Sequence, residues 1–298
     1  MGTMSTVIMP GFTGYAICGS DKLRFNTCSL NATQEVEAPD LVMGDYTHNA
    51  WAYGKIEVAG QIAGPLTENS MKFIDAVWTA TGSTIDVKYY AGYTRRFTNI
   101  WANTLTINVN AGEVAQFTLD LLGNTVSETA PAMTWYTDTE KLLTWDKCAM
   151  YYGTKQGTGF SGGTVLPNLQ SFSITISNNI TRQFIIKASD LFGDLVRGMS
   201  AVTGSCVAYN LKSNTDLADA FTGSGALYWD QYVNNDYHPV WFAIGVDRQI
   251  QCTVVFHRAT SELSVGPVLT TLGFTGIGHW GGDNPAPPAH SIMEDLSP

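Results

Sequence analysis

The residues best suited to chemistry are spread thinly along the chain and do not converge. One loop carries Asp230, Asp236 and His238, whose oxygen and imidazole groups are typical cation ligands. The alternative for this loop is a polar surface segment, and we favour it. Residues 155–164 are rich in glycine, but they match neither the G-x-S-x-G turn of serine hydrolases nor the spacing of a phosphate-binding loop. Neither stretch predicts a catalytic centre.

The cysteines and histidines also lack the spacing of a metal site. The five cysteines stand at positions 18, 28, 148, 206 and 252, and the five histidines at 48, 238, 257, 279 and 290. No C-x-x-C, H-x-x-H or H-E-x-x-H pattern links them. An odd number of unspaced thiols predicts free, partly buried cysteines in a reducing compartment. We therefore expect no catalytic residue, no cofactor and no metal, and we predict that the protein is not an enzyme.

The composition indicates a globular β protein that does not bind nucleic acid tightly. The 298 residues are 44% hydrophobic and 14% charged, with a formal net charge of −10. A negative balance opposes tight contact with phosphates. Low charge also suggests that neighbouring molecules cover much of the surface. No apolar run approaches the length of a membrane span, and the first residues lack the pattern of a signal peptide, so neither is expected.

The clearest structural signal is an alternating strand within residues 169–209. Phe172, Ile174 and Ile176 point to one face, which predicts a core side. Asn178-Asn179 suits a tight turn, because asparagine tolerates positive φ. The alternation then resumes over residues 180–186, and a further apolar run covers residues 199–209. We expect Val202, in that run, on the same core face.

This stretch has a faint copy near the start of the chain. A shift of 144 places Leu30 on Ile174 (174 − 30 = 144), and the same shift places the motif Gly-x-x-x-Val-x-Gly at residues 54–60 on residues 198–204. A constant shift across glycine and apolar positions favours an internal duplication. A looser match, at a shift of about 153, relates residues 268–276 to residues 114–123.

The surrounding elements follow from local patterns. A helix is predicted over residues 68–80, capped by Thr67, and a shorter one over residues 215–221. Residues 85–93 read as a strand that ends before Arg95-Arg96. Residues 101–122 read as an antiparallel hairpin turning at residues 110–112. The predicted fold is all-β with minor α, divided into a first domain with an N-terminal arm (1–123), a linker (124–143), a second domain (144–282) and a Pro-rich tail (283–298).

These strand patterns, in this order and in two copies, resemble the major tail tube proteins of long-tailed bacteriophages. The resemblance covers most of residues 15–280 and is carried by residues 171–180, 199–209 and the hairpin at 103–122. It implies two tandem β-sandwich or barrel domains, each with a flanking helix. Fused double-domain members form trimeric, pseudo-hexameric rings that stack into a tube. Departures in the second half, a shorter helix and a longer 223–238 loop, leave equivalence of the two copies open.

The resemblance also implies partners and a working surface. The partners would be other copies of the chain, the tape measure protein, and the tail terminator and tail tip proteins, within a virion tail assembled in the host cytoplasm. Double-stranded DNA would pass through without tight binding. The polar face of the inner strands would line the channel, and we predict this role for seven residues: Ser29, Asn31, Thr33, Ser171, Ser173, Thr175 and Ser177.

Other functions remain open at this point. One is a different β-sandwich protein of the virion, from the capsid or from a minor tail component. Another is a carbohydrate-binding β-sandwich that would use Trp51, Trp101 or Trp229. A hydrolase is the least favoured alternative, because no set of reacting groups supports it.

Overall fold

The structure is a computed structural model of the whole chain. It describes residues 14–37, 52–79, 82–90, 93–127, 141–152, 164–165, 168–184, 194–209, 238–244, 248–262, 269–276 and 293–295. Predictions that fall elsewhere, including the helix at 215–221, the loop at 223–237 and the glycine-rich segment at 155–163, lie outside the described residues.

Strands dominate the described chain, with one α-helix and a single 3-10 turn at Trp145–Lys147. The helix is α1 (Glu68–Thr79). The strands of the first half are β1 (Tyr15–Cys18), β2 (Asp21–Arg24), β3 (Thr27–Cys28), β4 (Asn31–Glu37), β5 (Ala52–Pro65), β6 (Ser83–Tyr90), β7 (Tyr93–Asn110), β8 (Gln116–Gly123) and β9 (Thr125–Ser127). Those of the second half are β10 (Cys148–Tyr152), β11 (Thr164–Val165), β12 (Leu169–Ser177), β13 (Thr181–Gln183), β14 (Asp194–Val196), β15 (Ala201–Tyr209), β16 (His238–Ile244), β17 (Arg248–Glu262), β18 (Leu269–Gly276) and β19 (Met293–Asp295). The predicted class, all-β with minor α, is confirmed.

Each half pairs its strands in the same antiparallel order. In the first half the order is β2, β1, β6, β7, β8, β5 and then β3 with β4. In the second half it is β11, β10, β16, β17, β18, β15 and β12. The halves are joined because β7 also pairs with β12, so one sheet network runs through both.

The registers of the two halves are related by nearly constant shifts. Val58 lies opposite Gly123, and Val202 lies opposite Gly276; shifts of 144 (202 − 58) and 153 (276 − 123) relate all eight pairs of these ladders. A shift of 144 on both strands carries five of the eight pairs of β3 and β4 with β5, those of residues 27, 28, 31, 32 and 33, onto pairs of β12 with β15. A β-bulge after Ala102 recurs after Phe256, at a shift of 154 (256 − 102).

Two glycines of the repeated motif sit where a neighbouring backbone comes too close for a side chain. A Cβ atom at Gly60 would lie 2.5 Å from the carbonyl oxygen of Ser29, and one at Gly204 would lie within 3.0 Å of the carbonyl oxygen of Ser173. The two carbonyl groups are themselves 144 residues apart (173 − 29). The close approach of the strands therefore explains the glycine at the end of each motif.

The first-half helix begins and packs as the sequence predicts. The Thr67 hydroxyl accepts the Ser70 backbone N–H at 3.0 Å, and the Ser70 hydroxyl accepts the Thr67 N–H at 2.6 Å. This reciprocal cap satisfies two donors that the first turn leaves without helical partners. The apolar stripe, Met71, Ile74 and Trp78, is buried in the core, and α1 packs on β1, β2 and β7.

The hairpin of β7 and β8 also follows its pattern, with Leu105, Phe117 and Leu119 fully buried. The strand predicted at 85–93 does end before Arg95-Arg96, since β6 ends at Tyr90, but the next strand was predicted to start at residue 101, and β7 instead begins at Tyr93 and runs through both arginines. The physical reason is a cross-strand partner: Arg96 lies opposite Asp86 and donates to its two carboxylate oxygens at 2.7 and 2.8 Å. A charged pair at directly opposed positions is compatible with a continuous strand.

The alternating strand at 169–177 is β12, and its core face is confirmed. Phe172, Ile174, Ile176 and Val202 are each at most 3% exposed and belong to one apolar core shared by the two halves. Ser173, on the opposite face, is half-buried between β7 and β15 and does not lie beneath the helix.

The chain leaves this sheet after β12. Asn179 adopts a φ of 48°, in agreement with the predicted turn. The resumed alternation, however, does not build on the sheet: β13 pairs with β14 in a separate two-stranded ribbon, which we name the arm (β13, β14 and residues 184 and 197–200).

Parts of the predicted linker and tail form hydrogen bonds with other segments of the same chain. Within the linker, β9 pairs with β7, and the Leu143 N–H donates to the Leu66 carbonyl oxygen at 2.9 Å. Within the tail, β19 pairs with the start of β17. Backbone pairing, rather than composition, decides the order of these segments.

Candidate functional site

The strand registers bring together a polar sheet face centred on β12. Thr175 has Thr106 of β7 on one side and Thr203 of β15 on the other. The same face continues outward through the other strands that the registers align with it. Its described members include Ser29, Asn31, Thr33, Gln61, Thr104, Asn108, Gln116, Thr118, Ser171, Ser173, Ser177, Ser205, Thr271 and Thr275. We name this surface the polar face.

Hydroxyl groups on the polar face bind one another across strands. The Thr106 and Thr175 hydroxyl oxygens lie 3.1 Å apart, and those of Thr104 and Ser177 lie 3.5 Å apart. The Ser177 hydroxyl also donates to Asn179 Oδ1 at 3.0 Å. Cross-strand hydroxyl pairs contribute to sheet stability and occupy groups that would otherwise be offered to a ligand.

The side chains of the polar face are more exposed at β3 and β4, where the sheet has an edge. Ser29, Asn31 and Thr33 are exposed, whereas Ser173 and Thr175, at the positions shifted by 144, are half-buried. The difference follows from the neighbours: β12 lies between two strands, while β3 and β4 pair with β5 alone among the described residues. All seven residues predicted for the channel lie on this face.

The few charges on the polar face are mostly acidic. Glu57 and Asp120 lie within it, and Lys55 lies near the start of β5, 3.7 Å from Glu35 and 3.5 Å from Glu57. Burial raises the pKa of Asp120, and a hydrogen bond from Gln61 acts in the opposite direction. A surface of hydroxyls, amides and carboxylates offers little attraction to a polyanion.

The polar face is held in place by a seam between the halves, the ladder of β7 with β12 and the contacts at its end. Asn178, 2% exposed, donates through Nδ2 to the Ala102 carbonyl oxygen at 2.8 Å and accepts from Arg197 at 2.6 Å. Arg182 of the arm donates to the Val58 carbonyl oxygen at 3.3 Å and to that of Gly123. Burial lowers the pKa of the Arg182 guanidinium, while the Glu57 carboxylate acts in the opposite direction.

The alternative sites receive no support from the described residues. Among them, no group of three or more His, Cys, Asp or Glu side chains could hold a metal ion. Of the cation-loop candidates, Asp230 and Asp236 lie outside the described residues and His238 begins β16. Trp51 and Trp229 also lie outside, and the Trp101 indole N–H is engaged with Asn99 Oδ1 at 3.0 Å. In the part of the chain that the structure describes, no helix has the length and apolar character needed to cross a bilayer.

The sequence pattern predicted the polar rows of individual strands, but it did not predict that these rows lie side by side. Thr104, Thr106 and Asn108 alternate with buried aliphatic residues, which is the signal that identified β12. They were not predicted to join Ser173 and Thr175, because alternation does not say which strand lies beside which. The register of β7 with β12 supplies that information.

Comparison with known proteins agrees with this architecture. No curated protein matches the chain by sequence. The family model described as phage tail tube protein matches residues 1–237, most of the 298-residue chain. Proteins of that family are structural rather than enzymatic components of the virion tail. The antiparallel β architecture, the polar face and the family match lead to one conclusion: this chain belongs to the phage tail tube protein family.

Proposed function

We propose that the chain assembles into trimeric rings with pseudo-sixfold symmetry, and that the rings stack into the tail tube through which the phage genome leaves the virion. One observation carries this proposal: both halves pair their strands in the same order, with registers related by shifts of 144 and 153 residues. Two equivalent modules in each chain allow three chains to supply six positions of a ring. In this proposal the two modules are the tandem domains predicted from the sequence, at residues 1–123 and 144–282.

In this proposal the polar face lines the channel. Support comes from its hydroxyl and amide composition, from the acids Glu57 and Asp120 within it, and from the net charge of −10. A wall of this kind wets the channel and repels phosphate. Ser29, Asn31, Thr33, Ser171, Ser173, Thr175 and Ser177 retain the channel-facing role predicted from the sequence. The tape measure protein would occupy the channel before DNA, and terminator and tip proteins would close its ends.

The arm is proposed to help join successive rings. Met199 is 88% exposed, and Phe184 and Val196 of the same arm are 42% and 41% exposed. Exposed apolar side chains grouped on one ribbon mark a contact with another molecule. Lys55 lies 5.4 Å from the Phe184 ring centroid, so one side of the arm already rests on β5 of the same chain.

Assembly is tested with the purified full chain. Mass photometry and negative-stain microscopy should reveal trimers of about 97 kDa, three chains of 32.3 kDa, together with rings or tubes. Hexamers of single chains would contradict the trimeric arrangement. A chain that stays monomeric over the whole concentration range would contradict assembly itself.

The channel assignment is tested by cysteine accessibility. Thr203→Cys introduces a thiol on the exposed part of the polar face, and Lys72→Cys introduces one on the exposed side of α1 as a matched control. In tubes, a maleimide coupled to a 5 kDa polymer should react with the control and be excluded from position 203, whereas both should react before assembly. Equal reaction at both positions in tubes would place the polar face outside the channel.

A further inference from the structure

We infer that chains join through a second copy of the internal seam: the open edge of β3 and β4 in one chain pairs antiparallel with the open edge of β17 in the next chain. This inference rests on the proposed function, because it names the contact that would join chains in a ring. It is a heterologous, head-to-tail contact, and such contacts close into rings when the rotation permits.

Each of the two edges lacks a neighbouring strand of the kind that the other edge could supply. Among the described residues, the second part of β17 pairs with β18 on one side only, over Phe256 to Glu262. In β7, the corresponding part has β8 on one side and β12 on the other. Beside this second part of β17, on the side that corresponds to the β12 side of β7, no described strand is therefore paired. At the other end of the sheet network, β3 and β4 are the first-half equivalents of β12 and have β5 as their single described ladder partner.

The internal seam supplies the register of the new one. In β7 and β12, Thr106 lies opposite Thr175, and Thr104 lies opposite Ser177. The first-half equivalent of Thr175 in β12 is Asn31 (175 − 144 = 31), and the second-half equivalent of Thr106 in β7 is Thr260 (106 + 154 = 260). The inferred seam therefore places Asn31 opposite Thr260. The same shifts place Thr33 opposite Arg258 and Ser29 opposite Glu262.

The open edge of β4 carries backbone groups that have no ladder partner, and side chains of the same chain cap two of them. The Ser29 N–H donates inward to the Gln61 carbonyl oxygen at 2.9 Å, so the backbone groups of the alternate residues Leu30 and Ala32 point outward. The Leu30 carbonyl oxygen accepts from the Tyr89 hydroxyl at 2.7 Å, and the Ala32 N–H donates to Asn31 Oδ1 at 2.9 Å.

Capping of this kind protects a sheet edge from unwanted pairing. It is compatible with docking, because a carbonyl oxygen accepts two hydrogen bonds. Asn31 Oδ1 also accepts from Arg95 Nη1 at 2.7 Å, so it would release the Ala32 N–H to the incoming strand and keep its bond to Arg95. The edge therefore has the properties of a controlled docking site for a strand of a second copy.

Disulfide trapping tests the register. Asn31 and Thr260 would form a pair without mutual backbone hydrogen bonds, in which opposed Cα atoms are about 4.5 Å apart, a distance that a disulfide spans. Tubes of the full-length double variant Asn31→Cys/Thr260→Cys should give covalent dimers and trimers on a non-reducing gel after mild oxidation. Asn31→Cys/Arg258→Cys and Asn31→Cys/Glu262→Cys are matched controls, because each displaces the partner by two residues and leaves diagonal pairs about 7–8 Å apart.

The outcomes separate this inference from the proposed function. Cross-linking at position 260 that exceeds both controls at least about fivefold supports the inferred seam. Tubes that cross-link more strongly at 258 or 262, or at none of the three positions, overturn the seam and leave the tube function standing. Absence of rings and tubes from the unsubstituted chain overturns the proposed function itself. The single variants Asn31→Cys and Thr260→Cys measure the background from the native thiols.

Hydrogen exchange of the unsubstituted chain tests the same seam without any substitution. The outward amides of Leu30 and Ala32 should exchange at least about tenfold more slowly in tubes than in unassembled chains, as should amides within residues 256–262. Unchanged exchange at both edges in tubes would overturn the inference.

Discussion

The glycine at the end of each repeated motif makes a sharp quantitative prediction. Gly204 of β15 lies opposite Ile174 on one side and Phe274 on the other. A Cβ atom there would come within 3.0 Å of both the Ser173 carbonyl oxygen and the Phe274 ring. Ordinary contact begins near 3.4 Å, so the Gly204→Ala variant must move the neighbouring strand or ring by about 1 Å.

The expected cost follows from two opposing effects. Overpacking in a well-packed core costs about 1–3 kcal/mol, and replacing glycine lowers the entropy of the unfolded chain, which offsets about 0.4–1 kcal/mol. The net loss in the free energy of unfolding is about 1–2 kcal/mol. At about 2–4 °C per kcal/mol, the value for chains of about 150–250 residues, Tm falls by about 2–8 °C.

Thermal unfolding of the unassembled chain, followed by circular dichroism, measures this change. Thr203→Ala is the matched control, because Thr203 is the exposed preceding residue of the same strand; its Tm should stay within about 1 °C of the unsubstituted value. Gly204→Ala/Phe274→Leu should recover part of the loss by making room. Gly60→Ala should lose more than Gly204→Ala, since its three nearest atoms all belong to the backbone of Ser29 and Leu30. An unchanged Tm for Gly204→Ala, or a milder effect at Gly60, would refute the reasoning.

Three further predictions concern single groups in the two halves. Asn178→Ala removes the bond to the Ala102 carbonyl oxygen and leaves buried partners unsatisfied, so urea unfolding should show a loss of about 2–3 kcal/mol; a loss below about 0.5 kcal/mol would contradict this role. Burial raises the pKa of Asp120, so the folded state binds the proton of this carboxyl group more tightly than the unfolded state does. The resulting contribution to the free energy of unfolding is complete below pH ~3.9 and is lost as the pH rises through the folded-state pKa. Asp120→Asn should therefore raise Tm at pH 7 and not at pH 3, and an equal change at both pH values would exclude the titration. Burial raises the pKa of Cys206 to about 12, so iodoacetamide at pH 8 should modify this thiol, by mass spectrometry, in unfolded but not in native protein; rapid labelling of the native chain would contradict its burial.

Alternation along a strand was enough to predict which side chains enter the core. Phe172, Ile174 and Ile176 are buried as expected, because a strand has period two and a slip of one residue would expose all three. The cap at Thr67 was predictable for a similar reason: it depends on residues three positions apart. Local patterns sufficed wherever the determining contacts are local.

Partner choice was not predictable, because it depends on contacts between distant residues. Nothing in the alternation of β12 says that Thr175 lies beside Thr106, 69 residues away. The sequence pattern did not place Arg95-Arg96 within a strand, since it does not reveal that Asp86 lies opposite Arg96. The residues that resume the alternation after Asn179 form the arm, because their hydrogen-bond partners are in β14 and not in the main sheet. The polar face was therefore predicted as separate rows, and its width follows only from the registers.

Cryo-electron microscopy of tubes assembled from the purified full-length chain tests the central claim most directly. We predict rings of three chains, six β-rich modules around one axis, and β12 oriented with Ser173, Thr175 and Ser177 toward an open channel. Rings in which this row faces outward, or is covered by a neighbouring chain, would contradict the proposal that the polar face forms the channel wall.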